Sequence, residues 1–161
     1  MPSPESTFFV DTSFHISYCF ERERHEEARS LIRAIRNRFS NPTFVTTNLI
    51  FAETLNLIQT RDWIAKQLRW STARQVGKDI ITYNVIGIIT AEMFRQAWEL
   101  FERQEQKHRS WSFVDCTSFV YIREIRKKQY GQDRLTIKNA LAFDSDFDEA
   151  GREFGFQVFR E

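Results

Sequence analysis

Among the 22 acidic residues of the chain, four stand where a protein with no chemistry to do would place an apolar residue or an ordinary turn. Asp11 directly follows Phe8-Phe9-Val10, and Asp144 directly follows Ala140-Leu141-Ala142-Phe143. Glu53 sits inside Leu49–Ile58 with Leu49, Ile50, Asn56 and Leu57 three and four residues away. On a helix its carboxylate would share a face with apolar side chains and need a partner. Asp115 opens a stretch in which Cys116, Phe119, Val120 and Ile122 read as buried. Taken singly, each acid has a plain structural explanation: Asp11 and Asp144 suit helix caps or turns, Ser112 to Asp115 suits a capping arrangement, and Glu53 suits an arginine partner. Brought together they would repel, and a divalent cation resolves that repulsion. Carboxylates without His or Cys partners select Mg²⁺ or Mn²⁺, hard ions that keep water and substrate phosphate in their remaining positions. The chemistry in view is phosphodiester hydrolysis by a metal-activated water, with no nucleophilic side chain required.

Convergence of the four acids requires a sheet whose strand ends share one edge, and the chain is patterned for one. Thr7–Val10 reads as a short buried strand ended by Asp11. From His25 to Phe39, Ala28, Leu31, Ile32, Ile35 and Phe39 recur at helical spacing, and Asn41 and Pro42 stop that helix. Thr43–Thr46 reads as a second strand, and Thr46 or Thr47 caps a helix to about Thr60. A helix over Arg61 to Val76, a strand over Val85 to Thr90, and helices over Ala91 to Gln106 and Ser112 to Lys128 follow. Strands at Asn139 to Phe143 and Phe156 to Phe159 enclose the short acidic segment Asp144 to Phe154. Alternating strands and helices predict an α/β sandwich with a largely parallel sheet, whose carboxyl edge binds ligands.

Composition sets the outer limits. With 42% hydrophobic and 15% aromatic residues against five Gly and three Pro, the chain is neither collagen-like, low-complexity nor disordered. Its 161 residues fit one domain, residues 1–161, able to bury roughly 70% of the surface of the unfolded chain. Cys19 and Cys116, without a CxxC pattern, read as buried free thiols in a reducing compartment. With no signal-peptide pattern and no apolar run of membrane-spanning length, the expected location is the cytoplasm and no membrane partner is expected. His15, His25 and His108 are too scattered for a metal motif. Asp144-Ser145-Asp146-Phe147-Asp148 imitates a calcium loop, but Glu149 and Gly155 occupy the positions that need Gly and Glu.

The ordered set Phe8-Phe9-Val10-Asp11-Thr12-Ser13, Glu53, Ser112-Phe113-Val114-Asp115-Cys116-Thr117-Ser118-Phe119 and Ala140-Leu141-Ala142-Phe143-Asp144-Ser145-Asp146-Phe147 resembles a PIN domain of the VapC type over essentially the whole chain. The resemblance implies a three-layer α/β/α sandwich and a Mg²⁺-dependent endoribonuclease, with Mn²⁺ an alternative ion. It also implies an RNA substrate, a small cognate antitoxin and a homodimer. It assigns catalysis to Asp11, Glu53, Asp115 and Asp144, with Asp11, Asp115 and Asp144 on the metal. Thr12, Ser13, Ser112 and Asp146 support them. Where the family often has Thr, this chain has Ala142, which removes a hydroxyl and leaves Asp146 able to share the role of Asp144.

A net charge of +1 requires any attraction for RNA to come from a local rim of cations, for which Arg61, Lys66, Lys107 and Arg109 are the candidates. Trp63 and Trp70, set among Arg61, Lys66, Arg69 and Arg74, read first as a core stripe and second as a stacking surface for single-stranded RNA. The competing functional reading is a non-catalytic RNA- or protein-binding module that keeps the fold, with Ala142 as its main support.

Overall fold

The computed structural model describes residues 6–21, 24–127 and 136–160. Five strands, β1 (Thr7–Val10), β2 (Thr43–Thr47), β3 (Val85–Gly87), β4 (Asn139–Leu141) and β5 (Gln157–Val158), form one parallel sheet in the order β3-β2-β1-β4-β5. Phe9 lies between Val45 of β2 and Ala140 of β4 in the register. The chain winds from β1 out to β3, then crosses to the other side of β1 to lay down β4 and β5. The crevice at the carboxyl ends of β1 and β4 is therefore the point where winding reverses, the place an open α/β sheet leaves for a ligand.

Helices α1 (Thr12–Cys19), α2 (His25–Arg38), α3 (Asn48–Thr60), α4 (Arg69–Tyr83), α5 (Ala91–Glu102), α6 (Phe113–Lys127) and α7 (Ser145–Phe154) flank the sheet on both faces. Every residue of β1 is buried because both its faces are covered. Phe9 packs with Tyr121 of α6 and Phe147 of α7. On the opposite face, Phe8 and Val10 join Phe14, Leu31, Ile35 and Phe159. A third cluster, Ile58, Ile64, Ala73, Val76 and Ile80, ties α3 to α4. A strand buried on two sides cannot alternate polar and apolar residues, which accounts for the unbroken Thr7-Phe8-Phe9-Val10 run.

Several elements depart from the sequence expectation. Asp11 ends β1 and in the same step caps α1, a helix whose eight residues carry no clear apolar stripe. The acidic segment after Asp144 folds as α7, with Phe147, Ala150, Gly151 and Phe154 buried along one face. Between Arg61 and Leu68 the chain makes a turn and a short 3-10 helix, so α4 begins only at Arg69. β3 keeps three residues of the six expected; it is an edge strand paired only with β2, and Ile88 beyond it is exposed. The helix after Ser112 is confirmed to Lys127, and its expected end at Lys128 lies outside the described residues. Cys116 is buried, but Cys19, the last residue of α1, is exposed beside a cavity between α1, α2 and α4. Trp70 is 70% exposed and so belongs to no core stripe, while Trp63 packs edge-on against Phe20. No helix among the described residues is long and apolar enough to cross a membrane.

Candidate active site

Three helix N-termini carry the acids. Asp11 is the N-cap of α1, and its Oδ2 accepts from Ser13 N at 3.0 Å and from Ser13 Oγ at 2.7 Å. Asp144 is the N-cap of α7 and accepts from Asp146 N at 2.9 Å. Asp115 lies in the first turn of α6 in a reciprocal capping pair: Ser112 N donates to Asp115 Oδ2 at 2.8 Å, and Asp115 N donates to Ser112 Oγ at 3.0 Å. The structural role and the convergence therefore coexist. Capping uses one carboxylate oxygen of each acid, and the partial positive charge of each helix start offsets part of the repulsion among them.

The fourth acid arrives from α3. Glu53 is half-buried, and its Oε2 accepts a short hydrogen bond from Thr12 Oγ1, so the residue after Asp11 fixes Glu53 from the next helix. Ser13 joins strand to strand as well: besides donating to Asp11, its Oγ accepts from Phe143 N at 3.0 Å. Asp11 N in turn donates to Leu141 O at 3.0 Å, which extends the β1–β4 ladder to the edge of the site. Thr46 Oγ1 donates to Val10 O at 2.9 Å and so anchors the residue before Asp11, a contact between residues 36 positions apart that no local pattern signals.

The acids are electrically unsatisfied. Among the described residues, none of Asp11, Glu53, Asp115, Asp144 and Asp146 is in an ion pair. Burial, aided by the charge of Asp115 and opposed by the Ser13 hydrogen bonds, pushes Asp11 up to about 7. Asp115 is raised by burial and by the charges of Asp144 and Glu53, against its Ser112 hydrogen bonds. Asp146 is raised by burial and by Asp144 and Asp115. Carboxyl oxygens of Asp115, Asp144 and Asp146 lie within 4.8 Å of one another. An all-oxygen donor set, crowded, anionic and without an internal counter-charge, fits a hard divalent cation. Two cavities lie elsewhere: one of about 470 Å³ between α1, α2 and α4, and one of about 600 Å³ beside Trp111.

The model of the PIN domain matches residues 8–153, a span that runs from β1 into α7 and includes all five acids. This chain belongs to the PIN-domain family. It is 32% identical over 149 residues to the 23S rRNA-specific endonuclease VapC20 of Mycobacterium tuberculosis, strains H37Rv and CDC 1551, covering 89% of this chain and 93% of that protein. The crystal structure of M. tuberculosis VapC20, described as a sarcin-ricin loop cleaving toxin, superimposes with a TM-score of 0.68, covering 89% of this chain and 95% of that one. The chain is thus a PIN-domain nuclease of the VapC type.

The other candidate residues of this PIN domain divide into two groups. Arg61, at the end of α3, and Lys66 are exposed and make no ion pair among the described residues. Lys107 and Arg109 are already engaged: Lys107 Nζ lies 3.2 Å from Glu153, and Arg109 lies 2.6 Å from both Glu149 and Glu153 of α7. The Arg109 guanidinium also stacks 4.3 Å from the Trp111 ring. A phosphate would have to displace two carboxylates to use Arg109, so the structure gives this residue the work of fastening α7 to the segment before α6. Sequence reasoning could not see this, because the partners lie about 40 residues further on.

Proposed function

We propose that the chain is a Mg²⁺-dependent endoribonuclease, the toxin of a toxin–antitoxin pair, acting in the cytoplasm on a structured loop of 23S rRNA. What carries the reading is the meeting of Asp115, Asp144 and Asp146 within 4.8 Å, with Asp11 at the same sheet edge. Asp115, Asp144 and Asp11 would hold the ion, and Asp146 stands close enough to share the task of Asp144. A bound Mg²⁺, with Mn²⁺ as a substitute, would supply a water of lowered pKa and offset charge on the leaving oxygen. The protein's own part is positional. Ser13 orients Asp11 and Ser112 orients Asp115, leaving one oxygen of each carboxylate uncommitted. Thr12 keeps Glu53 turned to the same edge, where it can accept a proton from an attacking water. Arg61 and Lys66 are the phosphate contacts in this reading.

The 23S rRNA substrate rests on the relative that shares 32% identity over 89% of this chain. An RNA hairpin carrying the sarcin-ricin sequence, and one with the same stem and a scrambled loop, test it directly. A single cut in the first and none in the second is expected. Equal cutting of both would replace a loop-specific toxin with a general ribonuclease.

Two partners complete the proposal. A small antitoxin would inhibit by docking a basic side chain on the acid cluster. A second copy of the chain would cover the aromatic face of α5, where Phe94 and Trp98 are each 49% exposed beside Phe113. Contiguous apolar surface of this kind marks an interface.

A further inference from the structure

The turn that carries Asp144 off the sheet is held by two arginines. Ala142 is buried, and its carbonyl accepts from Arg160 Nη1 at 3.0 Å. The carbonyl of Phe143 accepts from Arg24 Nη1 at 3.3 Å, and the Arg24 guanidinium lies 4.1 Å from the Phe143 ring. Each arginine is anchored on its far side: Arg160 Nη2 to Asp148 Oδ2 of α7 at 3.2 Å, and Arg24 to both oxygens of Glu27 at 2.8 Å. Arg160 is itself fixed along the chain, because Phe159 N donates to Ala140 O at 2.9 Å. Two guanidinium forks thus grip consecutive carbonyls immediately before Asp144, and one of them spans to the first turns of α7, which carry Asp146. These ion pairs are partly exposed and contribute little stability by themselves. What they fix is the direction of a backbone turn whose two acids must face Asp115.

We infer that Arg160, with Arg24 beside it, is a positioning residue for the metal site. It sets the Ala142–Asp144 turn by a charge-assisted hydrogen bond to the Ala142 carbonyl while its other tip holds Asp148 of α7. The inference rests on the reading of the acid cluster as a metal site.

The test is Mn²⁺ binding followed by electron paramagnetic resonance, together with the Mg²⁺ concentration for half-maximal RNA cleavage. Arg160→Ala is expected to weaken Mn²⁺ by about ten-fold and to raise the half-maximal Mg²⁺ concentration by the same factor, as loss of support behind a metal ligand typically does. KM for RNA and the cleavage rate at saturating Mg²⁺ should change less than about two-fold, a split that a general loss of structure would not produce. Arg160→Gln, which retains a donor for the Ala142 carbonyl, should recover part of the affinity and provides the reading if the alanine variant folds poorly. Arg95→Ala, which breaks exposed pairs on α5 only, should leave both values unchanged. Wild-type protein that binds no Mn²⁺ would overturn the nuclease reading and this inference with it. Wild-type binding with unaltered affinity in both Arg160 variants would overturn this inference alone.

Discussion

Buried at the end of β1 with Ser13 donating twice to one of its oxygens, Asp11 keeps its proton up to about pH 7, against 3.8 for a free carboxyl. A carboxyl whose pKa rises on folding stabilises the fold below its unfolded value, and that contribution is lost as pH climbs through its folded one. Asp115 and Asp146 are raised as well and act in the same direction. These carboxyls pull the stability of the metal-free protein down from about pH 4 to about pH 7, against buried His15, whose pKa is lowered to about 4 and which adds stability as pH rises toward 6.5. Added Mg²⁺ should restore more Tm at pH 8 than at pH 5, because the ion binds the deprotonated carboxylates. Asp11→Asn should remove the downward contribution, so that its Tm relative to wild type rises from about pH 4 to about pH 7. Thermal melts of both proteins across this range decide the matter, and a Tm difference that does not change with pH would contradict the burial argument.

The elements that carry the acids were only partly legible, and the reasons are physical. β1 and β4 announced themselves because strands buried on two faces are largely apolar, so the acid that follows each is conspicuous. Glu53 was legible for the complementary reason, as a charge set within an apolar helix. α1 was not, since its two turns carry no clear apolar stripe, and α7 was masked by its acids although Phe147, Ala150, Gly151 and Phe154 recur at helical spacing. The clamps on the Asp144 turn were beyond any local pattern: Arg24 acts on a carbonyl 119 positions away. The same distance problem hid from the sequence the partners of Arg109, Glu149 and Glu153. Arg109→Ala should lower Tm by loosening α7 and leave the salt dependence of RNA affinity unchanged. Arg61→Ala should reduce the log–log salt slope by about 0.7, the value for one phosphate contact with a single strand. Binding isotherms of catalytically silent Asp115→Asn protein at several salt concentrations measure both, and a slope lowered by Arg109→Ala but not by Arg61→Ala would reverse the assignment.

At the scale of the whole molecule, a parallel sheet that reverses its winding between β1 and β4 brings three helix starts and their acids to one edge, while α5 carries an aromatic face away from the core. If a second copy covers that face, Trp98→Arg should convert a dimer to a monomer in sedimentation; a wild-type monomer at micromolar concentration would remove the homodimer. The central claim, that the converged acids hold a divalent ion which cuts RNA, is tested most directly by one titration: cleavage of a labelled RNA against Mg²⁺ for wild type and Asp115→Asn, with EDTA as the zero. Asp115→Asn is nearly isosteric and relieves repulsion from Asp144 and Glu53, so its metal-free Tm should equal or exceed that of the wild type. Its cleavage rate should fall on the order of 10²-fold or more, as expected when one anionic ligand of a catalytic ion is lost. Wild-type cleavage that persists in EDTA, or full activity in a well-folded Asp115→Asn protein, would contradict the account.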